Sequence, residues 1–179
     1  ALDAMGTDDS PAVEVEGAVA AAAEGNVRVL LVGDAYVLRE QLACQKTYSS
    51  ASMVPSSLAA AGSLVGVVRP IVPSMLPIEI VHADEVITTD DAPSAAVRRK
   101  KRASMRVATE LVLQRRADAV VSAGNSGAMV ACGLLVLKRL PGVDRPAILT
   151  TFPTRSGEAA PLDMGANVEC RPLHLAQYA

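Results

Sequence analysis

The stretch Ala119–Gly133, AVVSAGNSGAMVACG, decides how the rest of the chain is read. Three apolar residues of buried-strand character run without a spacer into the polar loop Ser122-Ala-Gly-Asn-Ser-Gly127, and the loop passes straight into an apolar segment of helical length. Strand, glycine loop and helix in immediate succession form the repeating unit of an α/β fold. Glycines let such a loop turn tightly and approach a ligand, while the helix start offers unpaired N–H groups to an anion. The loop is neither a Walker motif, which needs a lysine and a longer glycine spacing, nor GxGxxG. Taken by itself it reads equally as an anion cradle or as a plain helix cap.

The same grammar recurs along the chain. Ser10-Pro11 is a helix start before AVEVEGAVAAAAEG, which stops at Gly25-Asn26. Val27–Val32 reads as a buried strand closed by Gly33-Asp34, AYVLREQLA as a short helix, and Ile78–Val81 as a strand ending at His82-Ala-Asp84. Between Ser104 and Gln114, Met105, Ala108, Leu111 and Val112 share one helical face, with Arg106 and Glu110 four apart on another. Ala128–Leu137 is the helix of the opening stretch, Ala147–Phe152 and Pro161–Asp163 read as short strands, and Pro172–Tyr178 as a last helix.

This alternation predicts an α/β fold, a doubly wound and largely parallel sheet with helices on both faces, in a single domain over residues 1–179. The C-terminal ends of parallel strands share one edge, where ligands bind. LDAMGTDD, VGDA, VHADEV, SAGNSG and LDMGAN are expected to converge there.

Composition supports that frame. Half of the 179 residues are hydrophobic but only 2% are aromatic, with Phe152 the single Phe, so the core is built from Ala, Val, Leu and Ile. Strands buried on both faces suit that mixture. A net charge of −2 argues against bulk affinity for nucleic acid. Cys44, Cys132 and Cys170 lack the paired spacing of a zinc or redox motif and read as reduced thiols of a cytosolic protein.

No secretory signal is visible, and ALDAMG reads as the end of a strand whose beginning is missing, so the chain is expected to be a fragment. Residues 44–77, rich in Ser, Ala and Pro, break the pattern and read as an irregular insertion. Their apolar run is cut by Arg69 and prolines well short of the ~20 residues of a membrane span.

Several residues are candidates for chemistry. Asp3, Gly6 and Asp8 form an acidic turn that would repel phosphate and so is expected to orient a backbone loop, position a partner or bind a cation, with a plain cap and turn as the alternative. Asp163, Gly165 and Asn167 repeat the pattern at a later strand end. Arg98-Arg-Lys-Lys-Arg102 is the one dense basic run: a solvated helix face, a dock for an acidic protein, or a cation turned toward phosphate. His82, at a strand end, is better placed for proton transfer than His174. No Ser or Cys sits on a nucleophile elbow, and no metal-ligand spacing occurs.

Four blocks in order, DAMGTDDSP, IVHADEVITTDDAPSAAVRRKKRASMRVA, DAVVSAGNSGAMVACGLLVLKRLPGVDRPA and LDMGANVECRP, resemble the bacterial phosphate acyltransferase (PlsX) family of phospholipid synthesis. The resemblance implies conversion of fatty acyl-[acyl carrier protein] and inorganic phosphate into acyl phosphate and free carrier protein. It also implies a fold like that of isocitrate dehydrogenases and phosphotransacetylases, a homodimer, and a cytoplasmic enzyme that meets the inner face of the membrane peripherally. Neither cofactor nor metal is called for.

In that reaction phosphate is the nucleophile, which accounts for the missing Ser or Cys. Ser122, Asn125, Ser126 and the backbone at Gly124 and Gly127 are then the expected phosphate donors with Asn167, and Asp163 and Gly165 are the further substrate-binding candidates. His82, Lys100, Asn125 and Asn167 are the catalytic candidates, and Arg98, Arg99, Lys100, Lys101 and Arg102 the carrier-protein dock. Thr7 departs from the family's usual second glycine, Ser126 replaces its usual Thr, residues 44–77 read as an insertion foreign to the family, and the length of the family's chains implies that this one is the N-terminal part of a longer enzyme. Two other readings remain: a phosphotransacetylase-like enzyme using acyl-CoA, and a binding module without catalysis.

Overall fold

Val29-Leu-Leu-Val-Gly33 has no polar break, and a strand with that content is stable only if covered on both faces. All five residues are buried in β2 (Val29–Gly33), the middle strand of the sheet. The computed structural model describes residues 1–45, 75–163 and 170–178. β1 (Leu2–Asp3) and β3 (Ile78–His82) flank β2, both parallel to it. On the free side of β1, Leu2 forms a parallel bridge with Val121. There Asp3 N–H donates to the Val121 carbonyl at 2.9 Å and Val121 N–H to the Ala1 carbonyl at 2.8 Å. The strand expected across Ala119–Val121 is thus reduced to one bridge, because its neighbour β1 is only two residues long.

One face of the sheet is covered by α1 (Ala12–Ala23) and α2 (Ala35–Cys44), which put Val15, Ala18, Ala22 and Leu38 against Val29 and Leu31. Burying Leu31 alone contributes roughly 1.5–3 kcal/mol, and Leu31→Asp would leave a charge with no partner there. The opposite face takes α4 (Ser104–Leu113), whose Ala108 and Leu111 pack on Leu30 and Val32. α3 (Pro93–Arg99) and α5 (Ser126–Cys132) join α4 in a separate cluster of Ile87, Ala96, Val97, Met105, Ala128, Ala131 and Cys132.

The helices follow local chemistry. Asp34 caps α2, its carboxylate accepting from the N–H groups of Tyr36 and Val37. Pro93 opens α3, which ends at Arg99, so the basic run read as a helix face straddles a helix end. Ser10 does not cap α1. Pro11 occupies that position, and the Ser10 hydroxyl accepts instead from the N–H of Thr7. The helix expected to Leu137 is α only to Cys132 and continues as a π-helical turn, Gly133–Leu137.

The region after Leu137 departs from the expectation of two short strands at Ala147–Phe152 and Pro161–Asp163 with a Gly-containing turn between them. β4 (Phe152–Thr154) and β5 (Gly157–Ala159) pair antiparallel as a separate hairpin, and Leu149 meets Leu162 in an antiparallel bridge. A two-residue turn at Arg155-Ser156 and the φ of 138° at Gly157 fold the chain straight back on itself. Pro153 and Pro161, which lack a donor, confine these segments to sheet edges. α6 (Pro172–Tyr178) falls where it was expected. Gly165, Asn167 and most of residues 44–77 lie outside the described residues. Among the described residues no helix is long and apolar enough to cross a membrane.

Candidate anion-binding site

β1 ends at Asp3, and the chain turns through Met5 and Gly6 directly beneath the loop that follows Val121. Gly6 and Gly124 are in backbone contact. A Cβ on Gly6 would lie 3.0 Å from the Gly124 Cα, and one on Gly124 would lie 2.9 Å from the Gly6 carbonyl oxygen. Only a residue without a side chain fits at either position. The DAMG and SAGNSG segments therefore form one joint, on the side of β1 opposite β2.

Asp3 is buried and holds this joint. Its Oδ2 accepts from the Ser122 hydroxyl at 2.8 Å, and its Oδ1 from the Met5 N–H at 3.3 Å. Ser122 Oγ in turn accepts from the Gly124 N–H at 3.2 Å. A serine hydroxyl has one proton, and that of Ser122 is committed to Asp3. Ser122 thus shapes the loop, and Asp3 and Gly6 position it. Asp8 lies exposed in the turn beyond.

Asn125 is equally committed. Its Oδ1 caps α5 by accepting the Ala128 N–H at 3.0 Å, while its Nδ2 donates to the carbonyls of Thr88, Thr89 and Asp91 at 3.2–3.3 Å. The loop before α3 is thereby stitched to the loop before α5, and Gly127 sits where a Cβ would strike Pro93 Cγ at 2.9 Å. Lys100 braces the same loop, its Nζ donating to Val86 O at 2.8 Å and to Asp91 Oδ2 at 2.5 Å. The Lys100 hydrogen bond, with the Thr88 N–H, holds the Asp91 carboxyl below its usual range.

The groups left over define what the joint can do. The N–H groups of Asn125, Ser126 and Gly127 take part in none of the described hydrogen bonds, nor does the exposed Ser126 hydroxyl. Three backbone donors and a hydroxyl at the start of a continuous helical segment running to Leu137 suit a small oxyanion. Asp163 follows the antiparallel Leu149–Leu162 bridge and receives a hydrogen bond from Cys170 Sγ at 3.4 Å.

His82 ends β3, its Nδ1 accepting from the Ala35 N–H at 3.2 Å, which leaves Nε2 as the proton-bearing nitrogen. β3 lies three strand positions from Val121, about 14 Å at ~4.8 Å per strand. The structure thus separates His82 from the loop. In the basic run, Arg102 pairs with Asp84 at 2.8 Å and Lys100 with Asp91, whereas Arg98, Arg99 and Lys101 are exposed and join none of the described ion pairs.

Glu14 escaped the sequence reading, as did the carbonyls at Thr88, Thr89 and Asp91 that receive Asn125. Thr7, Ser10 and Glu14 form a partly buried knot beneath the first turn. A Glu three residues after Pro11 was the available signal for the knot.

Comparison with known proteins bears on this geometry. The family model described as fatty acid synthesis protein matches residues 67–179. The chain is 49% identical over 179 residues to a phosphate acyltransferase of Geobacter sulfurreducens and 45% identical over 179 residues to one of Pelobacter propionicus. It is 46% identical over 180 residues to a phosphate acyltransferase of Koribacter versatilis. Each alignment takes in the whole of this chain, residues 44–77 included, so that segment has a counterpart in these relatives. The chain spans 43–44% of the length of these curated relatives.

Proposed function

We propose, from the premise that the chain belongs to the fatty acid synthesis protein family, that it carries the phosphate-holding part of an acyltransferase of phospholipid synthesis. The reaction is transfer of the acyl group of a fatty acyl-[acyl carrier protein] to inorganic phosphate. The names of the relatives support an acyltransferase that uses phosphate. The observation that carries the assignment to this joint is the set of unspent donors, Asn125, Ser126 and Gly127 N–H and Ser126 Oγ, above the Gly6–Gly124 contact.

Bound there, phosphate would be oriented with one oxygen toward the thioester carbonyl carbon. Attack forms the C–O bond and a tetrahedral oxyanion; its collapse breaks the C–S bond, and the thiolate leaves and takes a proton from solvent. The protein's task is to hold the nucleophile and meet the developing charge with preorganised donors. Ser122, Asn125 and Lys100 serve this indirectly, by fixing the loop, and His82, three strand spacings or ~14 Å from Val121, is proposed to take no part in proton exchange with phosphate. Asn167 and Gly165 are proposed to complete the cradle from the LDMGAN segment.

The strand order, with Val121 on one side of β1 and β2 and β3 on the other, supports a doubly wound sheet whose switch point is this joint. Arg98, Arg99 and Lys101 form the proposed dock for the acidic carrier protein. A homodimer in the cytoplasm that meets the membrane peripherally completes the reading. The test is incubation of the family-length enzyme with acyl-[acyl carrier protein], with and without phosphate. Phosphate-dependent appearance of carrier thiol is the expected result, and thiol release that ignores phosphate would refute the reading. Acyl-CoA as a competing donor separates the two thioester classes: the dock predicts that Arg98→Glu with Arg99→Glu harms the carrier-protein reaction alone.

A further inference from the structure

Glu14 lies in the first turn of α1 and is buried, yet it faces no cation among the described residues. Its Oε1 accepts the hydroxyl of Thr7 at 2.5 Å and that of Ser10 at 3.1 Å. The two hydroxyls also touch each other at 3.0 Å, and Ser10 Oγ accepts the Thr7 N–H at 2.8 Å. Glu14 Oε2 is buried with no hydrogen-bond partner. A carboxylate kept in that position, half satisfied, is costly unless the turn it ties down repays it.

That turn begins one residue after Gly6. Thr7 follows the residue whose backbone abuts Gly124, and Gly124 precedes the unspent donors. We infer that Glu14 is a positioning residue for the anion loop: by gathering the hydroxyls of Thr7 and Ser10 it fixes the turn that sets the height of Gly6 against Gly124. Thr7, which stands where a glycine would leave the turn loose, becomes the handle that Glu14 holds. Glu14 touches no substrate, and its action runs through Thr7, Gly6 and Gly124. The inference rests on the reading of the loop as a phosphate site.

The test measures the dissociation constant for inorganic phosphate by calorimetry, beside the melting temperature, in the full chain and in Glu14→Ala, Thr7→Val and Glu14→Gln. Glu14→Ala is expected to weaken phosphate binding about fivefold to tenfold, and Thr7→Val about threefold, as loss of hydrogen bonds to a charged acceptor implies. Glu14→Gln keeps an oxygen for both hydroxyls and is expected to bind as tightly as the parent. Thr7→Val is nearly isosteric and keeps the test alive if Glu14→Ala does not fold. Unchanged phosphate affinity in Glu14→Ala and Thr7→Val, with only the melting temperature lowered, overturns the inference and leaves the loop reading standing. A parent chain that binds no phosphate overturns both.

Discussion

Gly6 and Gly124 meet backbone to backbone, with no room for a Cβ on either, and this contact joins the end of β1 to the loop after Val121. Gly124→Ala would push a methyl group into the Gly6 carbonyl at 2.9 Å, against backbone that cannot rotate away. Overpacking of this kind costs about 1–3 kcal/mol. Urea denaturation should show that loss, and phosphate-induced stabilisation should fall with it. A variant as stable as the parent would mean that the loops are not in contact.

Asn125→Ala should destabilise more than loss of a helix cap. The cap itself is worth about 1 kcal/mol, and the substitution also strips the donor from the carbonyls of Thr88, Thr89 and Asp91. A total of about 2–3 kcal/mol is expected. Asn125→Asp, which keeps the cap but not the donor, should recover only part of it.

Acid should weaken the fold in a defined window. Lys100 and the Thr88 N–H lower the Asp91 carboxyl from its usual 3.8, and the Val37 and Tyr36 N–H groups do the same for Asp34. Groups whose folded-state pKa is depressed stabilise fully above the unfolded value, and the contribution fades as pH falls through the folded one. The stability difference between the parent and Asp91→Asn should therefore be largest at neutral pH and shrink below about pH 4. A difference independent of pH would place Asp91 outside any ionic contact.

The three thiols should separate by reactivity. Cys44 is exposed, whereas burial pushes the Cys132 thiol up to about 11, and burial with the neighbouring Asp163 raises that of Cys170. Since the thiolate is the reactive form, a maleimide at pH 8 should modify Cys44 first, Cys170 more slowly, and Cys132 only on unfolding. Rapid modification of Cys132 in the folded chain would contradict its place in the α3, α4 and α5 cluster.

Much of this fold was legible because β2 and α4 carry strong local patterns: an unbroken apolar run and a helical stripe with Arg106 and Glu110 four apart, which do pair at 3.0 Å. The SAGNSG loop was legible as a turn before a helix, but the tasks of its side chains were not. The family resemblance implies Ser122 and Asn125 as ligand donors, yet their protons go to Asp3 and to the carbonyls of the Thr88–Asp91 loop, partners 34 to 119 residues away in sequence. Long-range partners of that kind leave no periodic trace. Residues 147–163 misled for another reason. Their apolar content fits a buried strand, but Pro153, Gly157 and Pro161 impose a hairpin that local hydrophobicity does not report.

The central claim is that the Gly6–Gly124 joint leaves the Asn125, Ser126 and Gly127 amides free to hold phosphate. Titration of the ¹⁵N-labelled chain with inorganic phosphate, followed amide by amide, tests it most directly. The account predicts saturable shifts at those three amides, abolished by Gly124→Ala. Shifts confined to Arg98, Arg99 and Lys101, or none at all, would contradict it.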